Sequence, residues 1–257
     1  MPKFEFRAPR LFVDVPLHAG QAVALERDQS NYLGNVLRLA DGDTILVFNG
    51  RDGEWRASIA GRKRADQLAV TVQTRLQEPL PDVVYAFAPL KHARLDYMVQ
   101  KAVEMGASRL QPVLTRHTQV ARVNGDRMRA NVIEAAEQCG ILNLADVADP
   151  VPLERFLIER PSERVLVFCD ESADVADPLL ALSQTRAASQ GIDVLIGPEG
   201  GFAEEERTLL LRQPQILRLS LGPRILRADT AAVAALALVQ AAIGDWSGPP
   251  GADTPGG

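Results

Sequence analysis

Apolar residues follow two rhythms along this chain of 257 residues. From Phe4 to about Val72 they come in short runs broken by polar residues: FEFRA, QAVAL, TILVF, EWRASIA and QLAVTV. Alternation with β-branched residues marks half-buried strands. NGRDGE, from Asn49 to Glu54, predicts a hairpin turn between two of them. One helix interrupts the series, SNYLGNVLRL, with Ser30 as N-cap and Tyr32, Val36 and Leu37 at helical spacing. Residues 1–76 are thus predicted as a small β-barrel with one helix. QEPLPD, across 77–82, has the two prolines and polar residues of a linker.

From Val83 the rhythm changes. Continuous apolar runs (VVYAFA, RLQPVLT, RVLVFCD, IDVLIG, QILRLS) alternate with helical stretches. ARLDYMVQKAVEMG places Leu95, Met98, Val99, Ala102 and Val103 on one face and ends at Gly106. DRMRANVIEAAEQCG is a second helix; DPLLALSQTRAASQG, with Pro178 in its first turn, is a third. AEEERTLLL carries Glu204, Glu205 and Glu206 where they complement the helix dipole. DTAAVAALALVQAAIG is the last helix. Unbroken apolar strands between helices predict an α/β domain over 83–246, a parallel sheet covered on both faces. The Gly/Pro-rich tail, 247–257, is predicted to be disordered.

Two turns stand out in this second domain. IGPEGGFAEEE follows the strand ending at Ile196, and LGPRILRADT, from Leu221 to Thr230, follows QILRLS. Gly197, Gly200 and Gly201 leave the backbone open to close approach, and Pro198 stiffens the turn. Ligands of open parallel sheets bind beyond the carboxyl ends of the strands, where both turns lie. GPEGG is neither a dinucleotide fingerprint nor a P-loop, and no lysine follows it. Glu199 and the three glutamates behind it repel phosphate and favour a ligand with positive charge. S-adenosylmethionine fits, with its sulfonium, ammonium, carboxylate and adenosine. Its adenine is expected among Leu195, Ile196, Leu219, Leu221, Ile225 and Leu226, against backbone groups.

Composition narrows the setting. The net charge is −5, so nucleic-acid affinity requires a local basic surface. Arg7 and Arg10 form one basic cluster, and Arg62, Lys63 and Arg64 another. Cys139 and Cys169 are expected to be reduced and buried. Three histidines and two cysteines offer no metal-ligand spacing, and no metal is expected. No apolar run reaches a membrane span and no leader pattern opens the chain, so a cytoplasmic protein is expected.

The two turns, with YLGNVLRLADGD, FNGRDGEW, KHARLDYMVQKAVEMGASRLQPVLTRHTQV and EAAEQCG, closely resemble the bacterial 16S ribosomal RNA uridine N3-methyltransferase family. The resemblance runs to about Ile243. It implies a C-terminal SPOUT domain with a trefoil knot that binds S-adenosylmethionine, an N-terminal PUA-like RNA-binding domain, and a homodimer formed through the C-terminal domain. Two departures stand out. CGIL follows EAAEQ where the family often has an arginine, and Asp229 replaces the glutamate found before Thr230 in many members.

On this reading Gly197, Glu199, Gly200, Gly201, Gly222 and Thr230 join the apolar residues above in holding the cofactor. Thr230 either does this or caps the last helix. Arg227 is expected to stabilise a uracil anion, and Asp229 to orient Arg227 or act as a base. Arg224, Lys91 and Arg38, with the two basic clusters, are expected to contact RNA phosphates; His92 and Arg94 lie beside Lys91. The substrate implied is 16S RNA within a small-subunit particle. Two other readings remain open: a SPOUT enzyme with another RNA target, and a silent RNA-binding relative.

Overall fold

The computed structural model describes residues 8–61, 66–79, 82–120, 122–173, 177–185 and 191–247. FEFRA, Arg7, the Arg62–Lys63–Arg64 cluster and the tail beyond Ser247 lie outside them. The chain forms two compact units: 1–79 with 133–144, and 80–132 with 145–257.

The first unit is a five-stranded sheet in the order β1 (Arg10–Phe12), β3 (Thr44–Phe48), β4 (Glu54–Ala60), β5 (Gln67–Arg75), β2 (Ala22–Ala24). β1 pairs parallel with β3, and the remaining pairs are antiparallel. The Asn49–Glu54 hairpin is present, and the Asn49 Oδ1 accepts from the Arg51 and Asp52 N–H groups. The inward residues of the alternating strands, among them Leu11, Val23, Ile45, Val47, Ile59 and Leu68, form one core. The helix starts earlier than predicted. α1 (Arg27–Asn31) has Glu26 as N-cap, not Ser30, and passes into a π-turn over Tyr32–Val36. Gln29 reaches back to the Glu26 N–H, a contact that a search for Ser or Thr caps overlooks. Arg38 follows with φ 58, the left-handed region.

Arg10 corrects the expectation of an RNA contact. Its Nε donates to Glu54 at 3.1 Å, and both side chains are 4% exposed. Arg75 joins them at 2.7 Å and Thr74 donates to the same carboxylate at 2.8 Å. Burial raises the Glu54 pKa, but the hydrogen bonds and charges of Arg75, Thr74 and Arg10 outweigh it and hold it below its ordinary value. Arg10 therefore braces the sheet interior.

The second unit is a parallel sheet in the order β12 (Ile216–Leu219), β10 (Val165–Cys169), β11 (Ile192–Ile196), β6 (Val83–Phe87), β7 (Arg109–Leu114), β8 (Asp146–Val147), with β9 (Val151–Pro152) also on β7. Its helices are α2 (His92–Glu104), α3 (Gly125–Cys139), α4 (Leu153–Glu159), α5 (Pro178–Ser183), α6 (Glu204–Leu211) and α7 (Ala228–Ile243). The second half of α3 clusters with the first unit. Each apolar position predicted on α2 is buried. Pro178 opens α5 behind Asp177, whose carboxylate accepts from the Leu179 and Leu180 N–H groups. The predicted α/β architecture behind a small β-unit is present.

The strand IDVLI buries a charge that its pattern hides. Asp193 is 2% exposed, and Arg160 and Arg164 bind its two oxygens at 3.1 and 2.7 Å. Cys139 is exposed, contrary to expectation, and Cys169 is partly buried; both are free. Burial pushes the Cys169 thiol up to about 12, so it stays protonated at neutral pH.

Candidate active site

β11 and β12 both pair parallel with β10, so the turns after Ile196 and Leu219 leave the same edge of the sheet. Leu195 and Leu219 are fully buried, and Leu195 packs into the core around Phe168 and Leu210. These two residues can meet a ligand only through their backbone. Ile196 is buried as well, whereas Leu221 and Leu226 are half-buried and Ile225 is 92% exposed.

The glycines divide by cause. A Cβ on Gly197 would lie 2.5 Å from the Phe202 ring. That ring stands edge-on to Phe168 at 5.3 Å and anchors the turn to the sheet. Gly197 is therefore required by internal packing. Gly201 (φ +71) and Gly222 (φ +99) have left-handed backbone, and nothing lies within 4 Å of where their Cβ atoms would stand. These two open positions form a cradle that a side chain would fill, and they suit a ligand that approaches the backbone. Pro198 to Gly201 is a tight turn closed by the Gly201 N–H on the Pro198 carbonyl at 2.9 Å.

Charged groups fix the cradle. Glu206 is buried and accepts from Ala203 N–H at 2.9 Å and Arg116 N–H at 2.7 Å, which joins α6 to the loop after β7. Asp170, just beyond β10, accepts from Arg207 at 3.0 Å and Arg218 at 2.9 Å. Glu199, Glu204 and Glu205 are exposed, and Glu205 lies 3.5 Å from the Arg116 guanidinium.

Arg94, in the first turn of α2, connects the two turns. Its Nε and Nη2 each donate to Asp229 at 3.2 Å, and its Nη1 donates to Glu199. Asp229 also accepts from the Thr230 N–H at 2.9 Å. Burial raises the Asp229 pKa, but the Arg94 hydrogen bonds and the Thr230 N–H together hold it below the ordinary aspartate value. Asp229 is thus a braced anion and a weak base. Its partner is Arg94 and not Arg227, which is exposed and has no ion-pair partner among the described residues. The structure brings Glu199, Asp229, Gly201 and Gly222 to one edge of the sheet. The sequence grouped Arg94 with Lys91 and missed its role, because both its partners lie more than 100 positions away.

Next to Glu199 lies a cavity of about 130 Å³ at the ends of β6 and β7. Pro89, Leu90, Lys91, Arg94, His117, Gln119, Val120, Pro198 and Glu199 line it. The His117 Nδ1 donates to the Gly201 carbonyl at 3.0 Å, so the ring is held against the first turn. Lys91, Arg224 and Arg38 are exposed. The described residues contain no group of three or more His, Cys, Asp or Glu suited to a metal. No helix among them is long and apolar enough to cross a membrane.

Comparison with known proteins identifies the family. A family model of the RNA methyltransferase domain matches residues 77–240, and one of the RNA methyltransferase PUA domain matches 25–66. The ribosomal RNA small subunit methyltransferase E of Rickettsia conorii is 30% identical, over 90% of this chain and 94% of that protein. That of Synechocystis is 35% identical, over 85% of this chain and 73% of the relative. The crystal structure of the Neisseria gonorrhoeae enzyme of the same name, bound to S-adenosylmethionine, superposes with a TM-score of 0.80 at 28% identity, over 93% of this chain and 100% of that one. This chain therefore belongs to the ribosomal RNA small subunit methyltransferase E family of S-adenosylmethionine-dependent RNA methyltransferases.

Proposed function

We propose that this chain methylates N3 of a uridine in 16S ribosomal RNA. The observation that carries the reading is the cradle at Gly201 and Gly222, tied across by Arg94, with Arg227, which has no ion-pair partner among the described residues, directly before α7. Gly197, Glu199, Gly200, Gly201, Leu221, Gly222, Ile225, Leu226 and Thr230 hold the cofactor, helped by the backbone of Leu195, Ile196 and Leu219. When bound, S-adenosylmethionine supplies an electrophilic methyl group on a sulfonium.

The chain's own residues must then make uracil N3 reactive. N3 lies on the Watson–Crick edge, so the base is unpaired or flipped when it reacts. Its proton must leave, and the resulting charge spreads over the two flanking oxygens. Arg227 carries a permanent charge on a planar fork and stabilises that anion more than the neutral base. Asp229 fixes Arg94 and the start of α7. Being a weak base, it is not assigned the proton.

Arg38, Lys91 and Arg224 are exposed cations suited to RNA, as are Arg7, Arg62, Lys63 and Arg64 outside the described residues. The small-subunit particle as substrate, a homodimer through the C-terminal domain and a cytoplasmic location belong to the same reading. Nucleoside mass spectrometry of 16S RNA from a deletion strain tests it: N3-methyluridine disappears and returns with the gene. Its persistence would point to another RNA target, and an unmethylated product in every RNA class to a silent relative.

A further inference from the structure

The cavity at the ends of β6 and β7 is lined by a cation, Lys91, that has no ion-pair partner among the described residues. Of the two cations that border it, Arg94 is consumed by Asp229 and Glu199. Lys91, the residue before α2, makes no side-chain cap and has no ion-pair partner among the described residues. The walls suit a flat, partly apolar ring: Pro89, Leu90, Val120 and Pro198, with the His117 ring fixed by its bond to Gly201. The volume, about 130 Å³, is enough for one six-membered heterocycle. The cavity also touches the first Gly-Pro turn at Pro198 and Glu199.

We propose that this cavity receives the flipped uracil ring and that Lys91 is a catalytic residue that binds one of the two oxygens flanking N3. The proposal rests on the methyltransferase reading above and assigns its acceptor pocket. Uracil N3 has a carbonyl on each side, and its anion places charge on both oxygens. Arg227 serves one and Lys91 the other. The ammonium lowers the pKa of N3, so N3 gives its proton to solvent and keeps the bonding pair. That pair forms the new bond to the methyl carbon, while the electrons of the broken sulfur–carbon bond remain on sulfur. Lys91 stays protonated throughout. A lysine that only touched an RNA phosphate would strengthen binding in a salt-dependent way and leave the acidity of the base unchanged.

The test compares wild type, Lys91→Met and Lys91→Arg by single-turnover methylation of small-subunit particles across pH. Calorimetric affinity for S-adenosylmethionine and the affinity for the particle at two salt concentrations are measured alongside. Lys91→Met is expected to be about a hundredfold slower at neutral pH. Its rate is expected to keep rising at pH values where the wild type has levelled off, because N3 now ionises later. Cofactor affinity stays within twofold, and Lys91→Arg recovers part of the rate with a wild-type pH profile. An unchanged rate overturns the proposal. So does a loss confined to particle affinity, which marks a phosphate contact, or to cofactor affinity, which gives the cavity to the cofactor. Wild-type protein that forms no N3-methyluridine removes the parent reading instead.

Discussion

Arg94 holds Asp229 through two hydrogen bonds of 3.2 Å, although the two residues stand 135 positions apart. With Glu199 on its third nitrogen, one guanidinium spans the turn after β11 and the start of α7. Without it, two carboxylates would face each other across the cradle. Arg94→Ala is therefore expected to weaken S-adenosylmethionine binding by up to about fivefold, the upper end of the range for partly exposed ion pairs. Arg94→Lys, which cannot bridge both partners with one fork, should recover only part. Calorimetry on the two variants decides this; wild-type affinity in Arg94→Ala would remove the brace from the account.

Gly201 gives the cleanest probe of where the cofactor backbone contact lies. A Cβ there meets no protein atom, but its φ of +71 is left-handed. Gly201→Ala should lose about 1–2 kcal/mol of stability from conformation alone. If the ligand approaches this backbone, affinity should fall by far more than the stability change explains. A folded variant with unchanged affinity would move the ligand elsewhere. Gly197→Ala is the contrast, because its Cβ would strike the Phe202 ring at 2.5 Å and disturb packing first.

Glu54 holds the small unit together from within. Glu54→Gln leaves Arg10 and Arg75 without their anion and is expected to cost about 3–5 kcal/mol in urea unfolding. The pH dependence has a definite sign. The folded pKa lies below the ordinary glutamate value, so the contribution is complete above about pH 4.3 and is lost as pH falls through the folded value. Acid destabilisation of the small unit should be shallower in Glu54→Gln. Equal acid profiles would assign the effect to other carboxylates.

Arg227→Ala should slow the chemical step by on the order of a hundred- to a thousandfold, the usual loss when one donor to a developing anion is removed. Cofactor affinity should be nearly intact. Arg227→Lys should recover little, because an ammonium lacks the planar fork. Single-turnover rates set beside calorimetric affinities separate the two effects. A loss found wholly in affinity would make Arg227 a cofactor ligand.

Much of this site could be read in the chain because its signals are local. The Gly-Pro turns, the apolar face of α2 and the Asp177–Pro178 start of α5 each depend on residues within a few positions. What escaped depends on partners far away in sequence. Asp193 sits in an apolar strand because Arg160 and Arg164 reach it from 33 and 29 positions away. Arg10 looks like a surface cation until Glu54, 44 positions on, buries it. Gly197 stands out as a glycine beside a ligand turn, but that its missing side chain also makes room for Phe202 depends on packing that the local pattern does not encode. The grouping of 133–144 with the first unit likewise depends on contacts such as those of Ala136 and Leu142 with Phe48, which no local pattern encodes.

The most direct measurement is made on the product. Purified chain, small-subunit particles from a strain lacking the gene and labelled S-adenosylmethionine are incubated together, and the 16S RNA is digested and resolved by nucleoside mass spectrometry. The account predicts label in N3-methyluridine, approaching one methyl group per particle. Label on a ribose hydroxyl or on another base, or no transfer by a protein that binds the cofactor, would contradict it.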